Sequence, residues 1–162
     1  MKKYLTLSNV LACCAFLLAI LAFAFMFTDQ LSTSATVLGK TTTGTVSFND
    51  AFFSDGGSVV GFIGYLLVLI GGLCACSLNF FVKKSNVKLL AVVIASLVVI
   101  AGGVLIFLLP VFVNNNTGAK GWDLGGLASG TAFSLTATAI IAAIAGIVSG
   151  LLSCTASFLA KK

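Results

Sequence analysis

The chain has 162 residues, 59% hydrophobic and 8% charged, with a mean hydropathy of +1.18 and a formal net charge of +5. Soluble domains carry about a quarter charged residues, so water alone cannot solvate this chain and lipid must form part of its surroundings. The nine basic residues are all Lys, and seven of them flank the apolar runs. They do not cluster on one solvent face, which excludes nucleic acid as a partner and points to membrane orientation.

The first apolar run, from Val10 to Phe27, is interrupted only by Cys13 and Cys14. Lys2-Lys3, this run and Ala22-Phe23-Ala24 imitate a cleavable signal peptide, but the run continues through Phe25, Met26 and Phe27, which favours retention. A loop of polar and β-branched residues follows. Within it TVLGKTTTGTVSF, from Thr36 to Phe48, places β-branched residues around Gly39 and Gly44, as a short β-hairpin requires. The second apolar run is Val59 to Val82. The six residues KKSNVK then leave room only for a tight connection to the third run, Leu89 to Val113. Near the outer end of that run Pro110 should kink or end the helix. After a second loop with Trp122 and the sequon Asn115-Asn116-Thr117, a fourth run starts near Thr131 and reaches Ala160.

A helix needs about 20 apolar residues to cross a bilayer, so the expected spans are about 8–27, 59–82, 89–113 and 131–160. They leave outer loops at about 28–58 and 114–130 and an inner loop at about 83–88. Lys2, Lys3, Lys83, Lys84, Lys88, Lys161 and Lys162 fall on one side, against Lys40 and Lys120 on the other. The positive-inside rule makes the lysine-rich side cytoplasmic, both termini included, and puts Asp29, Asp50, Asp55 and Asp123 outside. The expected fold is an all-α integral membrane protein of the plasma membrane: one domain, an antiparallel up-down-up-down four-helix bundle with a short hairpin in its first outer loop.

In lipid, helices associate through small residues that let backbones approach. On the fourth span Ser134, Thr138, Ala142, Gly146, Gly150 and Cys154 recur at every fourth position, and Ala12, Ala15, Ala19 and Ala22 offer close-contact points on the first. Gly57, Gly61 and Gly64, Gly71 with Gly72, and Gly102 with Gly103 are further expected close contacts. Ala142, Gly146, Gly150, Cys154, Gly57 and Gly61 are the principal packing positions. The hydroxyl-bearing residues Thr131, Ser134, Thr138, Ser149 and Ser153 form the alternative reading, a polar stripe that would line an oligomeric pore.

The residues present argue against chemistry. There is no His, Glu or Arg, and no Asp or Lys inside a span, which removes the ionisable groups of proton-coupled transport, voltage sensing and haem ligation. The four aspartates lie in outer loops without a partner His. Cys74-Ala75-Cys76 is C-x-C, and with Cys13, Cys14 and Cys154 it reads as small apolar packing residues in the half facing a reducing compartment. No cofactor and no metal are expected, and the chain reads as no enzyme.

A longer first outer loop, a short inner loop, a shorter second outer loop and internal termini together resemble the layout of four-span claudin-like and MARVEL-type proteins. The first outer loop has neither the Trp nor the cysteines of the claudin-like pattern, Trp122 lying in the second. The resemblance implies lateral assembly, adhesion, membrane organisation or an accessory-subunit role, with the bilayer and either further copies or other membrane proteins as partners. The alternative is a channel, pore or holin-like oligomer.

Overall fold

The computed structural model describes residues 7–54, 57–82, 86–118, 122–123 and 128–159. Lys2, Lys3, Asp55, Lys83, Lys84, Lys120, Lys161 and Lys162, which carry part of the orientation argument, lie outside the described residues.

Four long helices dominate: α1 (Leu7–Ala24), α3 (Val59–Phe81), α4 (Asn86–Phe107) and α6 (Ala137–Leu159). With the 3-10 turn Phe25–Phe27 that prolongs α1, each is long and apolar enough to cross a membrane, as in a multi-pass membrane protein. Among the described residues, short helices α2 (Phe48–Phe53) and α5 (Leu109–Thr117) and five strands complete the fold: β1 (Leu31–Val37), β2 (Lys40–Val46), β3 (Trp122–Asp123), β4 (Ala128–Gly130) and β5 (Ser134–Leu135).

Helix α1 packs against α3 and α6, α4 packs against the same two, and α3 touches α6 across the middle. Small residues set the contacts. A Cβ built on Gly64 would lie 2.9 Å from the Gly102 carbonyl, and one on Gly102 would lie 2.6 Å from the Gly64 carbonyl, so α3 and α4 meet backbone to backbone. Ala12, Ala15, Ala19 and Ala22 are almost fully buried, and Gly72 closes on the Ala19 methyl. Two hydroxyls bind α1 to α6 from opposite sides: Ser8 Oγ donates to the Ala156 carbonyl at 2.7 Å and Ser149 Oγ to the Ala15 carbonyl at 2.6 Å. Outward faces stay apolar, with Leu17, Ile94, Leu97, Ile144 and Leu151 exposed. In water this would be untenable; in lipid it is the expected outer surface.

The expectation that Lys88 belongs to the connecting loop, with no Lys inside a span, is corrected: Lys88 lies in the first turn of α4, a helix long and apolar enough to cross a membrane, where it is buried and its Nζ donates to the carbonyls of Asn79 and Val82 at 2.9 and 3.0 Å. An ammonium here satisfies the end of α3 and meets the negative pole of its dipole. Near Pro110 the expected third span divides. The Pro110 ring has no N–H to offer the preceding turn, so α4 stops at Phe107, and α5 starts at Leu109 with Pro110 in its first turn.

The sheet is the main departure from the expected architecture. Its order is β2-β1-β4-β3, with β5 also on β1, so it joins the two loops that the sequence reading treats as separate. The expected hairpin exists but begins earlier, at Leu31, and turns once, at Leu38-Gly39; Gly44 lies within β2 opposite Thr33. The expected start of the fourth helix at Thr131 is also corrected. Residues 131–136 extend along the sheet, and α6 begins at Ala137, where Thr136 Oγ1 accepts from the Ala139 N–H at 3.3 Å as an N-cap.

Candidate interaction surface

Sheet and helices are joined at Gln30. It follows α1 and its 3-10 turn by a few residues and is fully buried. Its side-chain amide donates to the carbonyls of Phe25, Met26 and Thr28 at 2.9, 3.0 and 2.7 Å, closing off the end of α1. Its Oε1 accepts from the Tyr65 hydroxyl of α3 at 2.7 Å. The Gln30 N–H donates to the Val46 carbonyl of β2, and its own carbonyl accepts from Thr136 N–H at the mouth of α6. One residue thus ties α1, α3, the sheet and α6 together. Polar groups placed this deep must be satisfied, because an orphaned one costs roughly 1–3 kcal/mol. Neither Gln30 nor Tyr65 stands out in the sequence, where one reads as a loop residue and the other as an apolar filler.

Around this joint lies a ring of phenylalanines. Phe48 touches the rings of Phe27, Phe52, Phe53 and Phe62, with centroids 5.4–6.4 Å apart, and Phe52 reaches Tyr65 at 6.1 Å. Ser54 Oγ bonds the Asp50 carbonyl at the end of α2. Asn114 clamps Phe133, donating to its carbonyl and accepting from its N–H, and Asn116 donates to the Gly57 carbonyl.

Residues that sit opposite each other in neighbouring strands share a face. On one face of the hairpin Leu31 opposes Val46, and both join the apolar core. The other face is an array of hydroxyls. Ser32, Ser34 and Thr36 of β1 oppose Thr45, Thr43 and Thr41 of β2, and Ser134 opposes Ser32 from the far side. Neighbouring hydroxyls bond: Ser32 to Ser134, Ser34 to Thr131 and Thr36 to Thr41, at 2.9–3.0 Å. All of β2 from Lys40 to Thr45 is exposed.

The expected site residues fall into separate groups. Ala142, Gly146 and Gly150 are buried; Gly146 faces Val68 of α3, and Gly150 faces Ile100 and the Ser96 carbonyl of α4. Cys154 is half-buried. Gly61 packs under Phe52 and Leu109, whereas Gly57 belongs to the turn after α2, against the carbonyls of Asp50 and Ala51, and not to a helix contact. Of the polar stripe, Thr131 and Ser134 belong to the sheet, and Thr138 Oγ1 donates to the Asp29 carbonyl at 3.1 Å. Ser149 and Ser153 are buried inside the helix contacts. The five residues therefore do not form one continuous stripe. Nor are all the cysteines packed: Cys13, Cys14 and Cys74 are exposed on the outer helix surface. Among the described residues no group of three or more potential metal ligands occurs.

No protein-family model, curated protein or solved structure matches this chain.

Proposed function

We propose that this is a non-enzymatic integral membrane protein of the plasma membrane, and that it works by holding an interaction surface rigidly above the bilayer. In this reading the four helices cross as an antiparallel up-down-up-down bundle, both termini are cytoplasmic and the sheet lies outside. Support comes from the lysine asymmetry and from helix contacts that run in opposite chain directions, Ser8 with Ala156 and Ala15 with Ser149. The observation that carries the functional reading is the joint at Gln30, which fixes a sheet built from both loops to three helices. A surface so held loses little entropy when a partner docks.

The role is one of lateral assembly, membrane organisation or an accessory subunit, as the layout shared with claudin-like and MARVEL-type proteins implies. The small helix faces are occupied by the chain's own helices, so partners are taken by the sheet and by the bulky outer helix faces. The experiment is purification in mild detergent with native mass analysis. A defined stoichiometric partner or oligomer is expected; a strictly monomeric protein with no companion would refute the reading. A pore would require Ser149 and Ser153 to meet water, and both are buried. Flux through reconstituted vesicles that changes in Ser149→Ala and Ser153→Ala would reinstate it.

A further inference from the structure

We propose that the free edge of β2 pairs antiparallel with β2 of a second copy anchored in a facing membrane. The inference rests on the reading of the helices as a membrane bundle. It starts from where the backbone groups of β2 point. Leu38 and Gly39 have φ of 50° and 77°, so the hairpin closes through a two-residue turn with both central residues left-handed. Such a turn makes Val37 and Lys40 a hydrogen-bonded pair. In an antiparallel ladder these alternate with pairs that exchange no bonds, so Ala35–Thr42, Thr33–Gly44 and Leu31–Val46 bond across the hairpin while Thr36–Thr41, Ser34–Thr43 and Ser32–Thr45 do not. The far side of β1 agrees. The Ser34 carbonyl accepts from Thr131 N–H at 2.9 Å and the Ser34 N–H donates to Thr131 Oγ1 at 3.1 Å, so the backbone of Ser34 is turned away from β2. Thr41, Thr43 and Thr45 therefore aim their N–H and C=O groups away from β1. Among the described residues the sheet ends beyond them, β2 being its terminal strand.

Exposed edges are usually guarded by proline, charge, a bulge or a covering segment. This one has no proline, its single charge is Lys40 at the tip, and Lys40 to Thr45 are all exposed. Its composition suits a second copy of itself. Centred on Thr43, antiparallel pairing sets Thr43 against Thr43 of the other copy and Thr41 against Thr45, which engages all the outward groups. Threonine pairs of this kind favour pairing. Each Lys40 then faces a Val46, and the two lysines stand about 20 Å apart, too far to repel strongly in salt.

The hairpin also fixes which membrane the second copy occupies. Leu31 and Val46 are held in the apolar core at its base, whereas Leu38 at its tip is 77% exposed. Only Thr136 separates β5, paired at that base, from α6. The seven residues of β2 run from tip back to base over roughly 23 Å. An antiparallel neighbour has its tip beside this base and its own base beyond this tip, so its helices lie on the far side. The exposed Leu38 of each copy is drawn level with the rim where the other exposes Phe27 and Phe53.

The test uses full-length protein in a cysteine-free background, reconstituted in two differently tagged populations of phosphatidylcholine vesicles. Under mild oxidation Thr43→Cys should link one population to the other, since paired Cα atoms about 5.5 Å apart suit a disulfide. Thr41→Cys alone should stay monomeric, its copies being about 13 Å apart, yet should link when mixed with Thr45→Cys vesicles. Thr43→Pro removes only an outward N–H, which an edge strand tolerates; it should cut vesicle tethering at least tenfold with an unchanged circular dichroism spectrum. Links confined to one population, efficient self-linking of Thr41→Cys, or undiminished tethering by Thr43→Pro would each overturn the pairing. Carbonate extraction separates the two readings: a chain released by carbonate fails the membrane reading, and a retained chain that neither links nor tethers fails the edge pairing alone.

Discussion

At Gln30 the side chain spends its whole hydrogen-bonding capacity within the protein, its amide on three carbonyls and its Oε1 on Tyr65. Tyr65→Phe removes one hydroxyl, keeps the ring against Phe52 and strands a buried acceptor. It should lower stability by about 1–3 kcal/mol, read as an earlier thermal transition in detergent. Gln30→Leu strands the carbonyls at the end of α1 as well as the Tyr65 hydroxyl and should cost more. In contrast, replacing Cys13, Cys14 and Cys74 by Ser should move the same transition little, because all three are exposed. The joint was illegible in the sequence because a single amide beside Asp29 looks like any loop residue. What makes it a hub is the convergence of groups from Phe25 to Thr136, which no local pattern encodes. Thr136 was readable: a threonine just before an alanine-rich run is an N-cap signal, and it marks the start of α6 better than the four-residue spacing that begins at Ser134.

Among the helices, glycine positions differ in what surrounds them, and that decides the sign of a substitution. Alanine in a helix interior gains about 1 kcal/mol over glycine from propensity. At Gly146 the nearest obstacle is a methyl of Val68 at 3.1 Å, a side chain that can give, so Gly146→Ala should be close to neutral. At Gly102 the obstacle is the Gly64 carbonyl at 2.6 Å, backbone of another helix, and Gly102→Ala should be clearly destabilising. Gly150→Leu, against Ile100 and the Ser96 carbonyl, should disrupt the packing outright. Thermal unfolding of the three variants checks the order. The long helices were legible because twenty uninterrupted apolar residues leave little alternative in lipid. The strands were only half legible. The β-branched run from Thr36 announced β2 but only the last two residues of β1, and the short pieces at 128–130 and 134–135 become strands only because β1 offers them an edge.

For the whole molecule, orientation is the property most open to direct measurement. In a cysteine-free background, single cysteines at Ser47 and Thr117 should react with an impermeant thiol reagent in intact cells, and one at Asn86 only after permeabilisation; labelling of Asn86 in intact cells would reverse the assignment. The joining of the two loops in one sheet also has a consequence for how the protein is made. The bonds from Ser32 and Ser34 to Ser134 and Thr131 span 102 and 97 residues. At synthesis rates of about 5–20 residues per second, β1 waits roughly 5–20 s for these partners to emerge. Until then the hairpin has two open edges instead of one, and the partners of Gln30 near α6 do not yet exist. The short strands that lead into α6 therefore do more than connect it to the second loop: their arrival covers the second edge, so a chain stalled before residue 128 would carry an adhesive strand that the finished protein conceals.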